Sequence, residues 1–408
     1  MKKSVKIFFV IALLVASLQH SGYAQWSSQT SGVGSILFST YFTDANTGYV
    51  AGNGVILKTT DGGSTWSTVS SSGSNTFYSI YCTDAQTCYT AGAAGTGGTI
   101  QSTIDGGITW TPYSLISLNA YKGIFFANST TGYVVGDGQV IQKTINSGTT
   151  WTDISPTVSN ANYSSVYFTD INNGYVVGTD YSNPLVLKTT DGGTTWATQA
   201  ISGSGAIIFT SVHFPTSSTG YITGTGSSGG GYILKTTNAG LNWTVIYSVS
   251  EWLNSIFFTD VNTGYVTGWN GKIYKTTDGG ANWNAQTSAT TNELKSIFFS
   301  ANGTGYTVGL GGSILKNSFS ASTNELSKNM DIKAFPNPFS TSTKITLPIN
   351  ANNLIVIIYD LLGREVLKIS DIETNELLIE KKNLKNGTYL CTVISDNQII
   401  TRNKLVIQ

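Results

Sequence analysis

Charged residues are scarce in this chain of 408 residues, and arginine is almost missing. Only 11% of the residues are charged, and the two arginines, Arg364 and Arg402, lie close to the C-terminus. Residues 25–320 contain nine lysines, eleven aspartates and two glutamates, which gives a net charge of −4. Nucleic-acid phosphates are bound by basic stripes that usually contain arginine, so we expect no nucleic-acid partner.

Histidine and cysteine are scarce as well, and long apolar runs are missing. Two histidines and three cysteines offer no cluster of zinc ligands, so no metal site and no cofactor are predicted. An apolar run at residues 7–18 follows three lysines and precedes the small-residue exit Gly22-Tyr23-Ala24. This pattern is typical of a secretory signal peptide (1–24), and no later segment approaches the roughly 18 apolar residues of a membrane helix. We therefore expect an exported protein with no transmembrane segment after cleavage.

Glycine and aromatic residues are abundant, and they recur in a repeat. The stretch "SIFFTDVNTGYVTGWNGKIYKTTDGGANW" (255–283) returns with variations along most of the chain. Its Gly-Tyr or Cys-Tyr element marks seven units, at Tyr49, Tyr89, Tyr133, Tyr175, Tyr221, Tyr265 and Tyr306.

Each unit predicts four short strands joined by tight turns, which is one antiparallel sheet. A single sheet cannot bury both of its faces, so the units must stack, and a closed ring removes exposed edges. The N-terminal "QWSSQTS" (25–31) matches "NWNAQTS" (282–288) and supplies the strand that the seventh unit lacks. We predict an all-β fold: a seven-bladed β-propeller over residues 25–319, closed by the N-terminal strand and followed by a small C-terminal β-sandwich.

Six units carry an element that reads "KTTDGGTTW" at residues 188–196. Its Asp side chain can accept backbone N–H groups in an Asx-type turn, and its glycines permit φ > 0. Burial of its Trp between blades is expected to stabilise by roughly 2–3 kcal/mol. Asn replaces Asp in two copies, which a turn tolerates and a catalytic carboxylate does not. The predicted structural residues are Asp61, Asp105, Asn146, Asp191, Asn238 and Asp278, with Trp66, Trp110, Trp151, Trp196, Trp243, Trp283 and, from the N-terminal strand, Trp26.

This element resembles the Asp-box, or bacterial neuraminidase repeat, and six boxes on "TGYV-G" units resemble the photosystem II assembly and stability factor family of propellers. Asp-boxes also occur in sialidases, xyloglucan hydrolases and sortilin-type receptors, so the resemblance implies architecture rather than activity. A sialidase needs arginines to hold the substrate carboxylate, and this propeller has none. The missing arginines also argue against the photosystem II factor's role, which the resemblance ties to a basic patch.

Cys82 and Cys88 depart together from the repeat, because the other units have Phe and Gly at these positions. Two departures on either side of one hairpin turn predict a disulfide, which export permits. The alternative is two unpaired buried thiols. His213 replaces an aromatic residue of the first strand in the same way, and we expect it in the core rather than in catalysis.

Trp252 and Trp269 are the two tryptophans that the repeat does not explain. Both belong to the sixth unit, in loops expected to project from the face opposite to the boxes. With Glu251 and Asn270 they are candidates for a stacking platform that binds a sugar or a peptide. The alternative is that they cap the core of their own blade. Further candidates in the corresponding loops of other units are Tyr113 and Tyr181.

The composition changes after residue 319. Residues 320–330 read as a polar linker, and residues 331–408 predict five to seven strands of a small β-sandwich. The second segment resembles the type A C-terminal sorting domain of the type IX secretion system of Bacteroidota. The matching residues are Pro336, Asn337, Pro338, Phe339, Tyr359, Asp360, Gly363, Gly387, Thr388, Tyr389 and Lys404. The resemblance implies Sec export, the type IX machinery as a partner, and a secreted or outer-membrane-surface location in a Gram-negative bacterium.

The preferred functional hypothesis is a non-enzymatic binding module for an extracellular protein or glycan. The rival hypothesis is an extracellular glycoside hydrolase or lyase that uses paired carboxylates. A purely structural surface component is a third option. No catalytic residue is predicted, because the carboxylates outside the boxes and repeated turns are scattered singly over different units: Asp137, Asp153, Asp180, Glu251 and Glu293.

Overall fold

The structure of the chain is a computed structural model. It describes residues 26–317 apart from 114–118, 159, 182, 204, 207 and 227–228, and residues 334–408 apart from 348–353, 360–364, 371, 373, 375, 383 and 396–397. The predicted signal peptide (1–24) and linker (320–330) lie outside the described residues. The chain divides into two compact units, residues 1–319 and residues 320–408. No helix in the described ranges is long and apolar enough to cross a membrane.

Within its described residues, the first unit is all-β apart from two one-turn 3₁₀ helices, Trp269–Gly271 and Leu310–Gly312. Its strands, numbered along the chain, are β1 Ser27–Gln29, β2 Leu37–Phe42, β3 Gly48–Thr59, β4 Ser67–Cys82, β5 Cys88–Ala94, β6 Gly97–Thr103, β7 Thr111–Tyr113, β8 Tyr121–Phe126, β9 Gly132–Gly136, β10 Ile141–Thr144, β11 Thr152–Asp153, β12 Asn162–Phe168, β13 Gly174–Thr179, β14 Pro184–Thr189, β15 Ala197–Thr198, β16 Ala200–Ser202, β17 Ile208–His213, β18 Gly220–Thr225, β19 Gly231–Thr236, β20 Asn242–Val249, β21 Leu253–Phe258, β22 Gly264–Gly268, β23 Ile273–Thr276, β24 Asn284–Gln286, β25 Leu294–Phe299, β26 Gly305–Gly309 and β27 Ile314–Asn317.

Consecutive strands of one repeat pair into an antiparallel sheet, as β21, β22, β23 and β24 do. The first two repeats differ, because β2 to β7 form a single six-stranded sheet. Strand β4 is 16 residues long and serves both repeats, pairing with β3 through Ser71 and Thr76 and with β5 through Tyr81. It can do so because β3 continues unbroken through Asn53 and Val55 and offers a partner over the extra length.

The N-terminal strand completes the last sheet of this unit. Ser27, Ser28 and Gln29 pair antiparallel with residues 316, 315 and 314 of β27, so the outer strand of the final repeat comes from the start of the described chain. The side chain of Trp26 is fully buried and makes edge contacts with Tyr265 and Phe299. Ser27 and Lys316, which are 289 positions apart in sequence, thereby lie in one sheet, as a closed ring requires.

A circle of side chains on the inner strands surrounds the axis of the propeller-like unit. Neighbouring ring centroids in this circle are 4.6–5.4 Å apart, and the last member contacts the first at 4.7 Å. Its members are Tyr41, Tyr81, Phe125, Tyr167, His213, Phe257 and Phe298. Burial lowers the pKa of His213 to about 4, so its imidazole is neutral at pH 7 and packs as an aromatic ring.

The described residues of the second unit form two sheets, one of three strands and the other of four. Ile345 and Ile379 of the first sheet and Val356 and Val393 of the second belong to one buried cluster. Of the residues matched to a sorting domain, Asp360 and Gly363 lie outside the described residues. The strands are β28 Ala334–Phe335, β29 Ser342–Thr346, β30 Ile355–Tyr359, β31 Glu365–Ile369, β32 Glu376–Glu380, β33 Gly387–Ser395 and β34 Gln398–Ile407.

Candidate functional site

Each box is a turn closed by its own side chains. In the first box, Asp61 accepts hydrogen bonds from the Thr65 backbone N–H (2.9 Å) and from the hydroxyls of Thr65 (2.6 Å) and Thr59 (2.8 Å). Gly63, at a φ of 82°, donates its N–H to the Thr59 hydroxyl. These bonds, from the Thr65 side chain foremost, lower the pKa of Asp61 to about 2. The oxygens of this carboxylate are therefore engaged within the turn itself.

Asn146 forms the same turn with an amide. Its Oδ1 accepts hydrogen bonds from the Thr150 N–H and the Thr144 hydroxyl, both at 2.9 Å. Its Nδ2 donates to the Thr150 hydroxyl, which reverses the direction of one bond relative to the Asp boxes. Asn238 likewise accepts from the N–H of Asn242 at 3.1 Å. The turn therefore needs an acceptor at this position and not a charge.

The boxes also join neighbouring repeats. The carbonyl oxygen of Gly106 in the second box accepts hydrogen bonds from the Tyr49 hydroxyl (2.8 Å) and the Lys58 ammonium (2.6 Å), which both belong to the first repeat. We call this arrangement the Tyr–Lys clamp. Four further clamps run from Tyr133 and Lys143 to Gly192, from Tyr175 and Lys188 to Ala239, from Tyr221 and Lys235 to Gly279, and from Tyr306 and Lys316 to Gly62.

A contact between Phe and Gly accounts for the exceptional cysteines. A Cβ atom built on Gly48 would lie 2.4 Å from the Phe42 ring, so that ring fits only over a glycine. In the second repeat Cys82 takes the place of the Phe, and Cys88 takes the place of the Gly on the paired strand. Their Sγ atoms are joined in a disulfide, which occupies the volume that the ring fills elsewhere. The two cysteines together therefore replace the Phe–Gly pair of the other repeats, with a disulfide bond in place of the aromatic ring.

The two unexplained tryptophans lie against each other. The ring centroids of Trp252 and Trp269 are 4.2 Å apart at an angle of 60°, and the backbone N–H of Trp269 donates to the backbone carbonyl of Trp252 at 3.0 Å. Trp252 is half-buried, whereas 39% of Trp269 is exposed. The structure therefore brings this pair together, with Trp269 as its exposed member.

Glu251 and Asn270 flank the pair but have roles within the loops. The Glu251 carboxylate accepts hydrogen bonds from the hydroxyls of Ser250 (2.9 Å) and Tyr274 (3.3 Å) and lies 3.7 Å from the Lys272 ammonium. Asn270 has a φ of 54° in the turn between β22 and β23. Gly311 has a φ of 63° at the equivalent place in the next repeat, so a left-handed turn position explains the Asn.

Tyr113 and Tyr181 are in different environments. The Tyr113 hydroxyl is 2.9 Å from the Ser102 hydroxyl, and the ring packs partly buried against the core of the second and third repeats. Tyr181 is 71% exposed, with a φ of 69°, in the hairpin loop between β13 and β14. Only Tyr181 of these two presents a free ring surface.

The structure also contains an axial pocket that sequence analysis missed. It is a cavity of about 150 Å³ among the N-terminal ends of the inner strands. In every repeat a β-bulge falls at this level, and the bulged residue and the one after it both line the cavity. The bulged residues are Phe38, Tyr78, Lys122, Ser164, Thr210, Asn254 and Lys295.

The residue after each bulge is nearly constant, whereas the bulged residue varies. Six repeats have Ser after the bulge and one has Gly123. Four of these serine hydroxyls accept a backbone N–H of the next repeat: Ser39 and Ser79 accept from Ile80 and Ile124, both at 3.2 Å, and Ser211 and Ser255 accept in the same way. The constant position therefore joins repeats, and comparison of the variable position just before it is the signal that would have revealed the pocket from sequence.

The charged residues at the pocket are paired. Lys122 lies 3.4 Å from the Asp137 carboxylate, and its ammonium is 3.8 Å from the centre of the Tyr78 ring. Lys295 lies 2.7 Å from Glu293, which also accepts a hydrogen bond of 2.9 Å from the Asn254 amide. Neither ammonium group lacks a counter-ion.

Comparisons with known proteins match both units. Residues 157–309 match the family model described as photosynthesis system II assembly factor YCF48, and residues 333–408 match that of a secretion system C-terminal sorting domain. The fold and these matches define an all-β propeller protein that carries a sorting domain for type IX secretion. Its propeller resembles the YCF48 family, as the Asp-box repeats had predicted. No curated protein sequence matches the chain.

Solved structures place the propeller among several fold relatives. YCF48 from Cyanidioschyzon merolae is 20% identical with a TM-score of 0.58, over 72% of this chain and 98% of that one. A YCF48 bound to D1 peptide is 16% identical with a TM-score of 0.58, over 72% and 97%. A catalytically inactive virginiamycin B lyase from Staphylococcus aureus with quinupristin is 13% identical with a TM-score of 0.60, over 71% and 98%. Identities this low establish the fold and not the activity.

Proposed function

We propose that residues 25–319 form a seven-bladed β-propeller that binds an extracellular protein or glycan, and that residues 331–408 form a β-sandwich that directs export. The protein is made with a Sec signal peptide and then passes through the type IX machinery to the medium or the cell surface. Seven inner-strand rings in one circle support the blade number. The matched sorting domain supports the route and the location.

The face opposite to the boxes is where we place the ligand. On the box side, the acidic side chains are used within their turns and the carbonyls within the Tyr–Lys clamps. On the other side, Trp269 is 39% exposed and packs against Trp252 in an edge contact, with ring centroids 4.2 Å apart. Large, rigid aromatic side chains of this kind give much contact area at a small cost in conformational entropy. This exposed tryptophan is the observation that carries the proposal.

An enzymatic function is less well supported by the same face. The five carboxylates outside the boxes and repeated turns each have a partner close by, such as Lys122 for Asp137 and the Asn183 N–H for Asp180. Glu251 is paired with Lys272 from the turn before β23, and Glu293 is paired with Lys295 of β25. The fold relation to a virginiamycin B lyase assigns no catalytic residue to this chain at 13% identity.

Retention of the purified protein on a panel of immobilised glycans and bacterial surface proteins tests the proposal. We expect retention on at least one member, and loss of that retention in Trp269→Ala. Ile108→Thr is the matched control, because Ile108 is 81% exposed on the box face and several boxes have Ser or Thr at its position. Equal retention of both variants would place the ligand away from Trp269. No retention on any member would favour a purely structural component.

A further inference from the structure

We propose that the axial pocket binds a tetrahedral oxyanion, a phosphate or a sulfate, either as the free ion or as the terminal group of a larger ligand. The pocket lies on the loop face, at the N-terminal ends of the inner strands, and the tryptophan pair is not among the described residues that line it. This inference goes beyond the proposed function and does not depend on it, because an ion would enter the pocket whether or not Trp269 contacts a ligand.

The lining of the pocket carries positive charge. Its described residues include two lysines, Lys122 and Lys295, and no aspartate or glutamate. These lysines belong to the third and the seventh repeat, which lie on opposite sides of the circle of inner strands. An anion on the axis therefore lies between two ammonium groups, whereas a cation there would be repelled by both.

The carboxylates that pair with these lysines leave ammonium donors available to the pocket. Glu293 accepts one hydrogen bond of 2.7 Å from Lys295, and Asp137 lies 3.4 Å from the Lys122 ammonium. An ammonium group has three N–H donors, so one carboxylate does not use them all. The two carboxylates lower the affinity for an anion by their charge, but neither lines the cavity. We therefore expect anion binding in the millimolar range.

The ring of Tyr78 holds one of the two ammonium groups beside the pocket. The Lys122 ammonium lies 3.8 Å from the centre of this ring, and 28% of the Lys122 side chain is exposed. A cation–π contact of this kind is favourable, and it covers the ring face that a stacked ligand would need. Tyr78 therefore positions a charge and does not form a stacking wall.

The serines that follow the bulges supply further hydrogen-bond donors. Four of them accept a backbone N–H of the next repeat, and none of the four donates a hydrogen bond within the described part of the chain: Ser39, Ser79, Ser211 and Ser255. A hydroxyl whose oxygen accepts one N–H still has its own O–H to donate. Hydroxyl donors at one level, together with two ammonium groups, match the several acceptor oxygens of a phosphate or sulfate.

The donor set and the size of the pocket favour a tetrahedral ion over a carboxylate. Planar carboxylates are recognised best by the bidentate fork of arginine, and the propeller has no arginine. Lysine binds phosphate as a point charge, and donors placed around an axis reach oxygens that point in several directions. The cavity of about 150 Å³ has room for one such ion, whereas sites that enclose drug-sized molecules measure roughly 300–1,000 Å³. The remainder of a larger ligand would therefore lie outside the pocket.

Titration of the purified full chain with inorganic phosphate and sulfate at constant ionic strength tests this inference, with calorimetry and phosphorus NMR as readouts. Lys122→Gln and Lys295→Gln should each weaken binding about tenfold, because each removes one of the two charges at the pocket. Lys272→Gln is the matched control: it removes a charge from the same face, and its ion pair with Glu251 lies outside the cavity. Its affinity for phosphate should change less than about twofold, because solvent and salt screen the more distant charge.

Glu293→Gln distinguishes a binding pocket from a purely structural ion pair. The new amide still accepts the Asn254 hydrogen bond, while the loss of its charge frees the Lys295 ammonium. Phosphate should therefore bind about tenfold more tightly to this variant than to the parent. If Lys295→Gln alone fails to fold, its combination with Glu293→Gln leaves no unpaired charge and should bind phosphate more weakly than Glu293→Gln.

Three results would overturn the inference: no binding of either ion up to tens of millimolar, a loss in Lys272→Gln as large as in Lys122→Gln, or weaker binding in Glu293→Gln. Acetate bound more tightly than phosphate would contradict the tetrahedral ion in the same way. Glucose 6-phosphate distinguishes the two sources of the ion. Tighter binding than that of inorganic phosphate identifies the terminal group of a larger ligand, and equal or weaker binding identifies the free ion.

Trp269→Ala separates this inference from the proposed function. The variant should bind phosphate with unchanged affinity, since Trp269 does not line the cavity. Retention on the panel of glycans and surface proteins without any phosphate binding would remove this inference alone. Phosphate binding without retention on any member would remove the proposed function alone.

Discussion

The ammonium of Lys316 donates a hydrogen bond of 2.6 Å to the carbonyl oxygen of Gly62, which lies 254 residues earlier in the chain. The hydroxyl of Tyr306 donates to the same oxygen at 2.9 Å. The last repeat is therefore joined to the box of the first repeat by the same Tyr–Lys clamp that joins other neighbouring repeats. Ring closure therefore depends on this contact and on the pairing of β1 with β27.

Replacing Lys316 with Met should destabilise the propeller by about 2 kcal/mol, because a hydrogen bond to a charged group is lost and the carbonyl remains partly buried. Urea unfolding followed by tryptophan fluorescence measures the change. Lys272→Met is the control in the same unit: its ion pair with Glu251 is more exposed, so the expected change is below about 1 kcal/mol. Equal effects of the two substitutions would show that the clamp contributes nothing specific.

Two tyrosines at equivalent positions should respond differently to loss of the hydroxyl. Tyr221 donates to the Gly279 carbonyl at 2.8 Å, so Tyr221→Phe should cost about 1 kcal/mol. The Tyr265 hydroxyl is buried and has no hydrogen-bond partner among the described residues, because the seventh repeat has no box sequence to provide the carbonyl. Tyr265→Phe should therefore be neutral or slightly stabilising. A cost of Tyr265→Phe as large as that of Tyr221→Phe would contradict the clamp as described.

The cysteine pair should be exchangeable for the Phe–Gly pair of the other repeats. Cys82→Phe alone places a ring where the Cβ of Cys88 stands, and overpacking of this kind costs roughly 1–3 kcal/mol. Adding Cys88→Gly removes the obstacle, since Gly48 accommodates Phe42 in the first repeat. The double variant should recover most of the stability lost by the single one, as measured by a double-mutant cycle in urea. Additive losses would mean that the two sites are independent.

The box aspartates make the propeller sensitive to acid. Hydrogen bonds within the turns lower the pKa of Asp61, Asp105, Asp191 and Asp278 from 3.8 to about 2. Between these values the unfolded chain binds more protons than the folded one, so the stabilisation present above pH 4 is lost as the pH falls toward 2. Thermal unfolding from pH 5 to pH 2 should show this decline in the wild type. A variant with Asn at all four positions should show a shallower one, and parallel curves would reject the assignment.

Sequence analysis could predict much of the architecture because repeats reveal which residues are interchangeable. The register of the Tyr residues, the Asn substitutions in the boxes and the match of Trp26 to later box tryptophans all follow from aligned units. The bulge at Phe38 interrupts the alternation of buried residues, but it is hidden within its own unit because Leu37 and Phe38 are both apolar; only the varied position before the near-constant Ser of the aligned units marks it. The axial pocket was missed for this reason.

The structural roles of several candidate site residues are evident only from their three-dimensional contacts. Asn270 looked like a polar ligand group, but its positive φ and its equivalence to Gly311 explain it as a turn residue. Glu251 contacts Ser250 of its own loop, Tyr274 of β23 and Lys272 of the turn before β23. No sequence pattern predicts these contacts. The contact of Trp252 with Trp269 joins loops on either side of one hairpin. Sequence order alone does not give the distance between them.

The most direct test of a binding function is a single incubation of the protein with each glycan that retains it, assayed for both bound protein and new reducing ends. The account predicts saturable binding with no increase in reducing ends over a protein-free control. An increase that is abolished by replacing one loop carboxylate, such as Glu293→Gln, would contradict it and identify the protein as a glycan-cleaving enzyme.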